Sequence, residues 1–201
     1  MYIKKIILII YITLLLVNKR YYWWYPSINI NLLCHGQSYL NNNNEIDIMM
    51  KEYISKRTQS DIDFFYLTDK DIIIAFQDII KEDEMNRNDM TKILKSPIIL
   101  SIIMIYKYMY NRARPSQVAP DIINKEKGSL LDSKTANTPA YPSGHAFQAY
   151  YLAKILSKKF PKKKEELMKL ANRVSNARII AGLHYPSDSD FAYWLVDNLF
   201  N

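Results

Sequence analysis

Cysteine is almost missing from this 201-residue chain: Cys34 is the only one. One thiol excludes an internal disulfide and any metal site built from paired thiolates. Glycine and histidine are also scarce, with four and three residues respectively. Alternation of apolar and polar residues, the mark of a half-buried strand, is weak throughout. No run reaches the 18 or so apolar residues needed to span a bilayer. The longest, Ile6–Val17, would cover about 18 Å as a helix, against a hydrocarbon layer of roughly 30 Å. Its basic start and length fit a signal peptide or an uncleaved signal-anchor, and the following "YYWWYP" suits a membrane interface. A buried first helix of the domain is the plainer alternative.

What is abundant bounds the class. Apolar residues make up 49 % and charged residues 23 %, a balance that supports a packed core and excludes a disordered chain. The net charge of +7 comes without any nucleic-acid-binding motif, so no nucleic-acid partner is expected. It reads first as solvated surface, and it also suits an anionic substrate or a membrane face. The asparagine run at 41–44 reads as a solvated linker. Segments of helical period follow at about 45–57, 69–84, 88–111, 144–159, 162–181 and 188–199. A long polar, proline-punctuated loop spans 115–142. The fold class expected is an all-α helical bundle.

Three cations fall where helical geometry would bury them. Lys107 shares a stripe with Leu100, Ile103 and Met104 in a segment that is apolar nearly all round. Arg114 follows seven residues later, just before Pro115, which should stop the helix. Arg178 extends the stripe of Leu167, Leu170, Ala171 and Val174. Each alone would snorkel or take a salt bridge. Together they point to a basic pocket within a bundle, suited to an oxygen-rich anion such as phosphate.

The stretch "AYPSGHAFQAYYLAKIL" (140–156) supplies the other half of such a site. Ala149, Leu152, Ala153 and Leu156 form one apolar stripe, and the helix opens with Ser143, Gly144 and His145. A helix N-terminus attracts anions. Gly144 allows close backbone approach, Ser143 can cap and donate a hydroxyl, and His145 would stand beside the anion with a proton. Near the end, Gly182 terminates a helix and His184 is followed four residues later by Asp188. A carboxylate on one imidazole nitrogen fixes the tautomer and makes the other nitrogen a stronger nucleophile. The plain readings are a capped helix with a surface histidine and a loop histidine with an N-capping Asp. His35 has no evident partners and is assigned nothing.

Lys107-x6-Arg114-Pro115, Pro142-Ser143-Gly144-His145 and Arg178-x5-His184-x3-Asp188 together resemble the three-part signature of the type 2 phosphatidic acid phosphatase (PAP2)/vanadium haloperoxidase superfamily. Their order and spacings match, and the spacing between the second and third parts looks most like the soluble class A acid phosphatases. The resemblance implies an all-helical fold and a phosphatase with no metal or cofactor. His184 would attack phosphorus to give a phosphohistidine, Asp188 would orient it, and His145 would protonate the leaving oxygen. Lys107, Arg114, Ser143, Gly144 and Arg178 would hold the phosphoryl oxygens. Ala177 stands where the family often has serine. The resemblance also leaves room for a lipid-phosphate phosphatase at a membrane face, a haloperoxidase holding vanadate on His184, or a non-catalytic phosphate-binding protein. The short chain favours the phosphatase.

The expected organisation is a signal peptide or anchor over 1–22, a linker and peripheral helix over 23–60, and a PAP2-like acid phosphatase domain over 61–201. The expected partner is a small phosphorylated substrate, with membrane association through residues 6–17 and a secreted or membrane-anchored, non-cytosolic location.

Overall fold

The structure is a computed structural model that describes residues 41–120 and 130–200. The candidate signal or anchor segment, Cys34 and His35 lie outside those residues. The fold is helical, with no strand element among the described residues. In chain order the helices are α1 (Asn42–Ile48, continued by a π-helical turn over Met49–Ile54), α2 (Gln59–Lys70), α3 (Ile72–Gln77), α4 (Arg87–Leu94), α5 (Pro97–Tyr110), the short α6 (Pro115–Val118), α7 (Gly144–Lys159), α8 (Lys164–Ile180) and α9 (Pro186–Leu199). None is long and apolar enough to cross a membrane by itself.

α7 is the centre of the bundle. Ala149, Leu152, Ala153 and Leu156, the stripe legible in the sequence, have no exposed surface. α8 packs along α7 over most of its length. Only Phe160 and one 3₁₀ turn (Pro161–Lys163) join the two, so they run antiparallel. The C-terminal end of α8 therefore lies beside the N-terminal end of α7. A tight turn follows, with Gly182 at φ 76°, a value that suits glycine, and it brings the start of α9 to the same end.

Aromatic packing fixes the chain just ahead of α7. Phe191 of α9 stacks on Tyr141 with ring centroids 4.5 Å apart, and Tyr106 of α5 meets Phe191 edge-on at 5.4 Å. Buried aromatic contacts of this kind add about 0.5–1.5 kcal/mol each beyond their buried area. They hold Tyr141, and with it the Pro142-Ser143 approach to α7, against both neighbouring helices.

Four expectations change in detail. The segment expected as one helix over 69–84 contains a break, because Asp71 is extended (φ −160°) and its side chain accepts a hydrogen bond from Ile73 N at 2.9 Å to start α3. The segment over 88–111 divides at Pro97, which cannot donate to a preceding turn and begins α5 instead. α5 ends at Tyr110 with Asn111 left-handed (φ 45°), so Pro115 starts the next helix rather than stopping this one. The asparagines at 41–44 cap and open α1: Asn41 Oδ1 accepts from Asn43 N at 2.9 Å.

The buried face of α5 also differs from the stripe expected. Leu100 is 42 % exposed, whereas Ile98, Ile99, Ile102, Ile103, Tyr106 and Lys107 are buried. Lys107 is buried with Ile99, Ile103 and Tyr106, whereas Leu100, two turns earlier on nearly the same face, is exposed, as are Tyr108 and Met109.

Candidate active site

The last turns of α2, α5 and α8 and the first turns of α7 and α9 meet at one end of the bundle, and the predicted residues sit there. Lys107, Arg114, Ser143, Arg178, His184 and Asp188 are buried; Gly144 and His145 are partly so.

His184 is the hub. Its Nδ1 lies 3.0 Å from Asp188 Oδ2, and its Nε2 lies 3.2 Å from a terminal nitrogen of Arg114. Guanidinium can only donate and carboxylate can only accept, so the neighbours assign the tautomer: Nδ1–H donates to Asp188 and Nε2 keeps its lone pair. Arg114 is not on the helical face expected for it. It lies in the extended segment after α5, where its Nε donates to Thr138 O and its terminal nitrogen to Leu183 O, both at 2.9 Å.

Asp188 is saturated with donors. Oδ1 accepts from Arg112 at 2.7 Å, and Oδ2 accepts from Tyr185 N and His184 at 3.0 Å each. Burial pushes its carboxyl up to about 6, and Arg112 and the Tyr185 N–H oppose that shift. It is a carboxylate at neutral pH. Its main-chain oxygen accepts from Ser143 N at 3.0 Å, which ties the mouth of α7 to the first turn of α9. The Ser143 side chain caps α7 by accepting from Ala146 N at 3.4 Å.

Lys107 donates through Nζ to Pro139 O. A Cβ placed on Gly144 would lie 3.8 Å from Lys107 Cε and 3.7 Å from Ile103 Cγ2. Both are ordinary contacts, so the protein's own packing does not require glycine there. Among the described residues Arg178 alone of the three cations holds a carboxylate: it donates to Asp69 Oδ1 at 2.7 Å, with Ser133 and Thr135 hydroxyls 3.4 Å away. Asp69 also orients the second imidazole. Its main-chain oxygen, which can only accept, lies 3.3 Å from His145 Nε2, so that nitrogen carries the proton. Burial raises the Asp69 carboxyl, but the hydrogen bonds from Ser133, Arg178 and Thr135 bring it below its ordinary value.

The field of the site is positive. Burial, then Arg114, Lys107, Arg178 and His145, hold His184 well below the ordinary imidazole range. Burial and Arg178 bring His145 down to about 3. Burial, with Arg114 and Arg178, lowers Lys107 to about 7. Groups that lose protons this readily regain them beside an anion, because an opposite charge within about 4–6 Å favours the charged form. Among the described residues no group of three His, Cys, Asp or Glu is placed to hold a metal ion.

A family model described as the PAP2 superfamily matches residues 92–195, just over half of the chain. The chain belongs to the PAP2 superfamily. No curated protein matches it. PAP2 proteins are phosphatases, so hydrolase activity of that general type comes with the family. The matched stretch includes all eight predicted site residues, from Lys107 to Asp188. Ala177, where PAP2 proteins often carry serine, packs with Phe65, Leu131, Ala181 and Leu183 in an apolar cluster.

Sequence reasoning missed Asp69, Arg112 and Glu45. Arg112 had a signal, as a second arginine two residues before Arg114 in "NRARP". Asp69 and Glu45 had none, because their partners are more than sixty residues away in the chain.

Proposed function

We propose that the protein is a metal-independent phosphatase that hydrolyses phosphomonoesters through a phosphohistidine on His184. The observation that carries this reading is the setting of His184: a neutral imidazole oriented by Asp188, with its Nε2 lone pair toward Arg114 and with Lys107 and Arg178 buried nearby. In the first step Arg114 turns from Nε2 onto a phosphoryl oxygen. Nε2 attacks phosphorus, the P–N bond forms, and the ester P–O bond breaks. Lys107, Arg178, the Ser143 hydroxyl and the Gly144 N–H would take up the charge on the equatorial oxygens. His145 takes up a second proton with the anionic ester, so that with Nε2–H directed to Asp69 the imidazolium's Nδ1–H delivers that proton to the leaving oxygen. In the second step that nitrogen takes a proton from water, the oxygen attacks phosphorus, and phosphate leaves as Nε2 regains its pair. Gly144 serves this reading through close approach of an oxygen, since packing leaves room for a Cβ.

A soluble ester is favoured over a lipid phosphate by a cleft of about 460 Å³ that borders the site at Arg114 and is lined by Asn111, Ser116, Gln117, Asn137 and Thr138 beside Ala113, Ala136 and Pro139. Those side chains suit a hydrophilic leaving group. The apolar run 6–17 supports export or anchoring of the protein outside the cytosol. The deciding experiment is a panel on the purified protein with EDTA present: p-nitrophenyl phosphate, a phosphatidic acid in mixed micelles, and halide oxidation with added vanadate. Turnover of the small ester alone is expected. Preference for the lipid, or halide oxidation without ester hydrolysis, would replace the proposal with the corresponding alternative.

The pH dependence of kcat/KM follows from the free protein, with His145 taking its proton from the ester monoanion on binding. Lys107 loses its charge as pH rises through about 7, so kcat/KM falls on the alkaline side near that value. His184 must be neutral and Asp188 ionised; His184 is lowered well below the ordinary imidazole range, so Asp188, pushed up to about 6, sets the acid limb. An acidic-to-neutral optimum is expected from steady-state rates across the range. A profile flat from about pH 4 to 9 would contradict these assignments.

A further inference from the structure

A buried row of charges stands behind His184 and reaches α1. Arg112 donates to Asp188 Oδ1 at 2.7 Å from one terminal nitrogen and to Glu45 Oε1 at 2.8 Å from the other. Its Nε donates to Asn42 Oδ1 at 3.0 Å, and its guanidinium lies 3.8 Å from the centre of the Tyr185 ring. Glu45 is bound in turn to the first turn of α9: its Oε2 accepts from Ser187 N at 2.9 Å and its Oε1 from the Ser187 hydroxyl at 2.6 Å. Glu45 is 1 % exposed, Arg112 2 % and Asp188 not at all. Taking three charges out of water is a poor source of stability, because desolvation offsets most of their attraction. An arrangement of this kind gains most when it fixes a geometry.

We infer that Glu45 is a positioning residue for catalysis: through Arg112 it holds Asp188 ionised and aimed at Nδ1 of His184, so the catalytic unit begins at α1 rather than after it. This rests on the phosphohistidine reading. The electrostatics are specific. Arg112 shared by two carboxylates leaves Asp188 free to stabilise the imidazolium character that develops on His184. With Arg112 removed, Glu45 and Asp188 would face each other buried and unneutralised, and one would take a proton. With Glu45 removed, Arg112 would rest its whole charge on Asp188. Asp188 is faced directly by Arg112 and His184 and at longer range by Lys107, Arg114 and Tyr141; Glu45 acts on it through Arg112 and Ser187.

The test compares full-length Glu45→Gln, Arg112→Met and the double variant, with Glu52→Gln, an exposed carboxylate paired to Lys56, as control. Steady-state rates on p-nitrophenyl phosphate should show kcat lower by about tenfold for Glu45→Gln and about a hundredfold for Arg112→Met, with KM within about twofold. The double variant, which removes both charges, should recover part of the Arg112→Met loss. In nitrogen-15 NMR the His184 signals should change from one tautomer to an average of two in each single variant. The control should match wild type in both readouts. Wild-type kcat and a wild-type His184 spectrum in Glu45→Gln and Arg112→Met would overturn the inference. So would a loss accounted for by the unfolded fraction in circular dichroism. A wild-type protein that does not turn over would overturn the phosphatase reading alone, and the His184 spectra would still decide the positioning role.

Discussion

Replacing His184 with alanine should remove turnover, by about ten-thousandfold or more, while leaving inorganic phosphate bound within about tenfold of its wild-type affinity. The two effects separate because the side chain does two separable things. Its Nδ1–H is held by the buried carboxylate while its Nε2 lone pair lies beside Arg114, a combination that no other imidazole among the described residues has. It contributes little to holding phosphate, since Lys107, Arg114 and Arg178 keep their backbone and carboxylate partners without it. Arg114 loses one of three contacts and retains Thr138 O and Leu183 O. Rates on p-nitrophenyl phosphate and calorimetry with phosphate check both halves. Retained turnover would end the covalent mechanism; loss of binding together with turnover would mean that the imidazole is part of the anion site first.

The companion substitution, Asp188→Asn, should be nearly as severe and should cost stability as well. Both oxygens of Asp188 receive donors: Arg112 on one, His184 and the Tyr185 N–H on the other. An amide places its NH₂ against a donor in either orientation. Facing Arg112, it leaves a buried guanidinium with half its charge balance. Facing His184, it drives the imidazole to the other tautomer and puts a proton on the nitrogen that must attack. Loss of the triad carboxylate in other nucleophilic enzymes costs about ten-thousandfold in kcat, and breaking a buried ion pair costs about 3–5 kcal/mol. Urea unfolding and kcat together test this. A variant of wild-type stability that retains activity would show that His184 needs no carboxylate.

Much of the site was legible because it is local. Ser143-Gly144-His145 at the mouth of α7 and the His184/Asp188 pair each need only a few consecutive residues to be recognised. Arg178 was legible through the apolar row it ends, and three of the four residues of that row are fully buried. Lys107 was found on an imperfect argument, since Leu100 faces solvent and the burying row runs through Ile103. Arg114 reaches the site from an extended segment, not from the helical face assigned to it. The general alternatives of snorkelling or salt-bridging divided by residue: Arg178 found Asp69, whereas Lys107 and Arg114 lie on main-chain carbonyls.

The sequence by itself determined the helical periods, the caps and the presence of cations on inward faces, because each is set by neighbours within a turn or two of helix. Tertiary structure alone decided what those cations meet. Asp69 reaches Arg178 and Glu45 reaches Arg112 across intervals of 109 and 67 residues. Pairing at that distance is fixed by how helices pack, since a buried charge accepts whichever opposite charge the packing delivers, and no local pattern encodes that choice.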